Sequence, residues 1–201
     1  LGLAEASWPA AAEREVIDAA GRVVMPGLVD AHSHPVWAGS RAAELELRIR
    51  GAGYVEIMEA GGGIASTVRA TRAASDEALL ADLLERLDQL MDHGVTTLEA
   101  KSGYGLSTAE ELRQLRVLAQ AAERHPMRIV PTFLGAHAVP DEFRGREDAY
   151  VDLVVEEMLP AVAAAFPQAF CDVFCDLGAF SLAQAERVLL AARALGLPLK
   201  A

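Results

Sequence analysis

Long apolar runs are missing from this chain. No stretch approaches the ~20 consecutive apolar residues that a membrane-spanning helix needs, and no basic segment leading into an apolar one reads as a secretory leader. Positive charge is scarce: 18 Lys and Arg stand against 29 Asp and Glu, a net charge of −11. That balance argues against nucleic acid or an anionic membrane as partner. It leaves room for a small anionic substrate, because a local cluster such as Arg41, Lys101 and a histidine can override the global field. Cysteine is nearly absent. Cys171 and Cys175 fall in one predicted strand, where four residues of extension separate Cα atoms by roughly 13 Å, too far for a disulfide. Two unbridged thiols fit a reducing compartment, so a cytoplasmic location is expected. No G-x-G-x-x-G or Walker-type pattern follows a predicted strand, which removes a nucleotide-phosphate cradle. There is no short-period repeat and no low-complexity tail. What remains is a globular composition, 52% hydrophobic and 23% charged over 201 residues, with material for one domain or slightly more.

The chain is organised around Val24 to Pro35, V-M-P-G-L-V-D-A-H-S-H-P. Gly27 to Val29 reads as a short buried strand, entered through Pro26-Gly27 and stopped by Pro35. Side chains alternate along a strand, so Asp30, His32 and His34 share one face. Two imidazoles at that spacing can grip one metal ion, and the Asp30 carboxylate could accept the hydrogen bond that holds a ligand ring. The alternative is a polar strand end with solvated histidines.

Before it, Glu15 to Asp18 and Gly21 to Val24 read as two short strands around a turn, too small to stand alone. Residues 1–24 are therefore expected to be a remnant of a β-sandwich domain, and 25–201 an incomplete barrel. Pro35 to Gly63 reads as a long loop, expected to act on substrate. Helices follow over Ile64 to Ala74 and, capped by Ser75, over a leucine stripe from Leu79 to Met91 that Gly94 ends. Val95 to Lys101 is a strand leading into Ser102-Gly103-Tyr104-Gly105. Ser107 to Glu110 reads as a capping box for a helix to about Arg124. Arg128 to Leu134 is a strand ending at Gly135-Ala136-His137. The helix from Asp148 to Phe166 should break or kink at Pro160. Phe170 to Phe174 is a fourth strand, Ser181 to Gln184 a second capping box, and Leu197 to Ala201 the start of a fifth strand. Strand and helix in alternation give an α/β fold with a parallel sheet. His32, His34, Tyr104 and His137 then converge at the carboxyl edge, where a (β/α)8 barrel or a doubly wound sheet places its site.

Five strings narrow this further: H-S-H-P-V-W-A-G-S-R (His32 to Arg41), G-G-G-I-A-S-T-V-R-A-T-R (Gly61 to Arg72), T-T-L-E-A-K-S-G-Y-G-L (Thr96 to Leu106), F-L-G-A-H-A-V-P (Phe133 to Pro140) and F-C-D-V-F-C-D-x-G-A-F-S (Phe170 to Ser181). With V-I-D-A-x-G-x-V-V-x-P-G-L-V-D-x-H-x-H before them, the chain resembles the amidohydrolase superfamily, and within it the imidazolonepropionase family. The resemblance implies a partial (β/α)8 barrel of about five strands and one catalytic metal ion, zinc or iron. His32 and His34 would be two of its four protein ligands. Arg41, Tyr104 and His137 would contact the substrate, His137 also as a catalytic group. The implied reaction is hydrolysis of the cyclic amide of 4-imidazolone-5-propanoate to N-formimidoyl-L-glutamate in histidine degradation, with a homodimer as the expected full-length enzyme. The side-chain chemistry suits these roles: a planar Arg fork for the propionate, a Tyr hydroxyl delivered between two glycines, and an imidazole at a strand end. The alternatives are a surface Arg41 paired with Glu44, a packed loop Tyr104 and a satisfied buried His137.

Relatives with two metals carry a bridging carboxylated lysine on strand four. Phe170 to Asp176 has none, and puts Cys171 and Cys175 on one face and Asp172 and Asp176 on the other. Glu99 and Lys101 are expected to form an ion pair in the barrel mouth. The family's third ligand and general base follow strand five and its aspartate ligand follows strand eight, so the chain is expected to be an N-terminal fragment with negligible turnover alone. Two rivals remain: another mononuclear amidohydrolase such as a guanine or cytosine deaminase, and a non-catalytic half-barrel that folds only against a partner chain.

Overall fold

The computed structural model describes residues 17–51, 53, 62–176 and 178–200. Its frame is a parallel sheet in simple sequence order: β1 (Leu28–Ser33), β2 (Val95–Lys101), β3 (Arg128–Ala136) and β4 (Phe170–Val173). Among the described residues, the helices α1 (Ala42–Ile49), α2 (Ile64–Ala73) and α3 (Asp76–Asp92) lie between β1 and β2. One helix, α4 (Thr108–Arg124), joins β2 to β3. Next come α5 (Glu147–Leu153) and α6 (Leu159–Ala165), and α7 (Leu182–Ala194) follows β4. A fifth strand begins as one parallel bridge: the Cys171 amide donates to the Pro198 carbonyl at 2.8 Å, and the Lys200 amide to the Cys171 carbonyl at 2.9 Å.

Local chemistry accounts for the elements. Ser75 accepts from the Ala78 amide at the head of α3, and Gly94 at φ 88° ends its last turn. Leu79, Leu83 and Leu87 line one face of α3 and are fully buried beside Leu98 of β2. Each such leucine contributes on the order of 1.5–3 kcal/mol by leaving water. Leu115 and Leu118 of α4 and Phe133 of β3 continue the same core. The Ser181–Gln184 capping box is formed in full, and Gly196 closes the chain after α7.

Several expectations change. Residues 22–27 carry no strand, and Val23 and Val24 stand 88% and 68% exposed, because no ladder partner lies beside them among the described residues. The partner expected at Glu15 and Val16 lies outside the described residues. The Pro35–Gly63 stretch holds α1, whose Glu, Leu and Arg are good helix formers, with Glu46 and Arg50 paired one turn apart. None of the α1 residues is buried, since Leu45, Leu47 and Ile49 fall at strand rather than helix spacing. Residues 52 and 54–61 lie outside the described residues. At Ser107 no side-chain cap forms, and the Glu110 carboxylate that would complete a capping box lies 3.3 Å from Arg113. Pro160 does not break its helix. A π-turn at Val154–Met158 widens the ladder just before it, which absorbs the missing N–H. β4 ends at Val173, so the alternation expected through Asp176 stops early. Cys171 is buried, Cys175 is exposed, and both are free thiols. No helix is long and apolar enough to cross a membrane among the described residues.

Candidate active site

The carboxyl edge of the sheet gathers the site. His34 follows β1, Tyr104 sits in the turn after β2, and His137 follows β3. The His34 and His137 rings stack at 4.4 Å between centroids, and Tyr104 packs on both, at 5.2 Å and 5.4 Å. His32 lies 6.0 Å from His34, edge to face, and is exposed. All four predicted edge residues therefore come together, three as a packed ring and His32 beside it. Phe174 meets His137 from the β4 side.

Both packed histidines have their orientation set by backbone. His34 Nδ1 lies 2.7 Å from the Ser102 carbonyl and His137 Nδ1 2.8 Å from the Gly103 carbonyl. A carbonyl only accepts, so each Nδ1 carries the proton and each Nε2 keeps a lone pair. Burial, then the neighbouring His137, pulls the His34 pKa down to about 3. Burial also lowers that of His137. Asp30 does not hold a ligand ring as expected. It accepts from the His32 backbone amide at 3.1 Å and the Ser33 hydroxyl at 2.6 Å, because the ladder shifts register between Asp30 and Ser33. It fixes the strand end, not the imidazole.

Gly103 and Gly105 let Tyr104 in. At Gly103, φ is +110°, and a Cβ would lie 2.9 Å from both His137 Nδ1 and the Leu134 carbonyl. A Cβ at Gly105 would lie 2.6 Å from the backbone of Glu110 and Glu111. The Tyr104 hydroxyl is hydrogen-bonded to Arg41; burial raises its pKa and the guanidinium opposes the rise. Arg41 and Tyr104 line a recess of about 260 Å³ with Trp37, Gly39, Ser40 and Thr67. Glu44 is not the partner of Arg41. It accepts from the Gly63 amide at 2.8 Å and caps α2.

Beside the ring opens a cavity of about 820 Å³, lined by His32, His34, Lys101, His137 and Asp172, with Leu182, Leu189 and Leu199 as its apolar wall. The expected Lys101–Glu99 pair is present at 2.9 Å and is extended by Asp172, 2.6 Å from the ammonium, and by Lys200, 3.3 Å from Glu99. Thr132 also donates to Glu99. Burial opposes the Lys101 charge, but Asp172 and Glu99 outweigh it and its pKa is raised. Asp172 and Lys200 were not singled out by the sequence, because their partners are more than 70 residues away or on another strand. Glu111, under the Tyr104 turn, was hidden in an ordinary acidic helix start. No group of three or more His, Cys, Asp or Glu that could hold a metal occurs among the described residues. The donor chemistry of His32 and His34 nevertheless fits a borderline cation: two imidazoles, of which His34 has its Nε2 left free because Nδ1 donates to the Ser102 carbonyl.

The H-x-H motif and the Arg41–Tyr104 pair thus lie close together at the carboxyl edge of the parallel strands. The amidohydrolase family model matches residues 15–60, the segment that carries β1 and both histidines of the motif. Over that segment the chain is similar to the amidohydrolase family. Along most of its length it is 56% identical over 193 residues to an imidazolonepropionase of Herpetosiphon aurantiacus, 58% over 189 to one of Symbiobacterium thermophilum and 50% over 199 to one of Alkaliphilus metalliredigens. These matches cover 92%, 94% and 99% of this chain but 45%, 44% and 47% of the relatives. The chain thus spans a little under half the length of the curated relatives it matches.

Proposed function

We propose that this chain forms part of a (β/α)8 barrel that hydrolyses the cyclic amide of 4-imidazolone-5-propanoate to N-formimidoyl-L-glutamate, a step of histidine degradation in the cytoplasm. The observation that supports this most directly is the packed His34–Tyr104–His137 ring with Arg41 on the Tyr104 hydroxyl. Arg41 and Tyr104 would take the propionate carboxylate, the guanidinium through paired N–H donors. His137, with its proton held on Nδ1, would accept a hydrogen bond at Nε2 from an imidazolone ring N–H. His32 and His34 would be the chain's two ligands to a zinc or iron ion. When bound, that ion supplies Lewis acidity and lowers the pKa of water from 15.7 towards ~7. The low pKa of His34 keeps its lone pair available at neutral pH, without competition from protons. The apolar wall of Leu182, Leu189 and Leu199 would keep bulk water from the ring while the propionate sits at the polar end. The substrate is a small anion, and neither nucleic acid nor membrane has a role.

The test is an assay of the complete gene product, purified with zinc or with iron, against imidazolonepropionate and against guanine and cytosine. Ring opening with release of N-formimidoylglutamate, abolished by a chelator, is expected. Deamination of either base without ring opening would overturn the assignment.

A further inference from the structure

Helix α4 presents two fully buried polar side chains, Glu111 and Gln114, one turn apart on the face under the Tyr104 turn. The Glu111 carboxylate accepts from the Gly103 amide at 3.0 Å, the Gly105 amide at 2.9 Å and the Leu106 amide at 2.8 Å. The Ser102 hydroxyl is a fourth donor, and its oxygen in turn accepts from the Leu134 amide of β3 at 3.0 Å. Leu106 is held at φ 53°, a conformation that a leucine rarely adopts unassisted. Gln114 accepts from the Tyr104 amide at 3.4 Å.

These contacts are coupled to the site by peptide geometry. A trans peptide is planar, and its N–H and C=O point in opposite directions. The Gly103 amide and the Ser102 carbonyl belong to one plane. Holding that N–H on Glu111 therefore aims the carbonyl away from α4, onto His34 Nδ1. The next plane repeats the device: the Tyr104 amide faces Gln114 and the Gly103 carbonyl faces His137 Nδ1. We propose that Glu111 and Gln114 are positioning residues of this site, which fix the ring orientation and proton position of His34 and His137 through two successive peptide planes. The inference deepens the proposed function, but its evidence is the histidine tautomer and not turnover.

The experiment uses the complete gene product with its histidines labelled with nitrogen-15. In the wild type, hydrogen-bonded Nδ1–H resonances are expected for His34 and His137. In Glu111→Gln the amide group can no longer accept from all four donors, so the His34 Nδ1–H resonance is expected to disappear. His93 and His125, on the far ends of their helices, should keep their nitrogen shifts and so report an intact fold. In Gln114→Leu the His137 Nδ1–H resonance is expected to be lost while that of His34 persists. A folded Glu111→Gln protein that retains the His34 resonance overturns the proposal, as does a Gln114→Leu protein that retains that of His137. Should Glu111→Gln shift all five histidines by unfolding, the Gln114→Leu result decides. Failure of the wild type to open imidazolonepropionate would strike the proposed function alone, because the tautomer pattern is read without turnover.

Discussion

The inner and outer parts of the site are held in different ways. His34, Tyr104 and His137 sit just past the carboxyl ends of β1, β2 and β3, against the part of the sheet where Leu98, Ala100 and Phe133 are fully buried. Each is tied to backbone or to a neighbouring ring, and the turn between them is gripped from below. His32 and Arg41 stand on the outer side. His32 is exposed on β1, whose Val29 is 65% exposed, and Arg41 heads a helix with no buried residue. The inner group is preorganised by the chain itself, so a ligand meets it without an ordering cost. The outer pair is exposed, so part of any binding energy would go into fixing it. Substitutions should therefore separate: inner ones show first as lost stability, outer ones as lost affinity.

The largest effect should fall on the buried charges under the inner group. Lys101→Met removes the cation between Glu99 and Asp172, and Glu99 already has one oxygen without a hydrogen-bond partner among the described residues. Stranding these carboxylates should cost about 3–5 kcal/mol, measured by denaturant unfolding. The pH dependence follows from the same group. Its folded pKa is raised above the ordinary 10.5, so its stabilisation is complete below that value and is lost as the pH climbs through the raised one. The wild type should lose stability steeply on the alkaline side, and Lys101→Met should show a flatter curve there. Next comes Gly103→Ala. With φ at +110° and a Cβ 2.9 Å from His137 Nδ1, it should cost about 2–4 kcal/mol and lower kcat as well, since His137 must move. A Gly103→Ala protein of wild-type stability would show that the inner turn is looser than its hydrogen bonds imply.

Most of the fold was legible because it depends on short-range pattern. The leucine stripe of α3, the caps at Ser75 and Ser181 and the parallel run of the strands all follow from neighbours in sequence. The convergence of His34, Tyr104 and His137 was legible too, since in a parallel sheet the strand carboxyl ends share one edge. What escaped was decided by distant partners or by backbone. Asp172 finds Lys101 across 71 residues, and no local signal announces it. Glu111 looks like one more acid at a helix start until the turn folds over it. The role foreseen for Asp30 failed because the β1 ladder shifts register between Asp30 and Ser33, which period-two alternation cannot show. The helix inside Pro35–Gly63 was missed because its apolar residues do not keep helical spacing.

The outer side should give smaller changes in stability. Arg41→Ala removes an exposed guanidinium from the Tyr104 hydroxyl, and unfolding should move by less than about 0.5 kcal/mol. If the proposed function holds, loss of the guanidinium should instead raise KM about 10- to 100-fold, as read from ring-opening kinetics of the complete gene product. A large loss of stability with KM unchanged would place Arg41 with the inner group and erase the distinction.

The finest test is Glu44→Ala. Glu44 lies in the first turn of the helix that Arg41 heads, and it reaches across to the Gly63 amide and the Ser66 hydroxyl at the start of α2. It joins the exposed helix to one whose Thr67, Val68 and Thr71 are buried. Its removal should cost about 0.5–1 kcal/mol, the usual value of a helix N-terminal cap. If the outer side is ordered by its ligand, KM should rise only a few-fold, because substrate can still draw Arg41 into place once that tether is gone. If KM instead rises as far as in Arg41→Ala, the guanidinium must be aimed by Glu44 before substrate arrives. Arg41 would then be as preorganised as His34, and only His32 would remain on the adaptable side of the site.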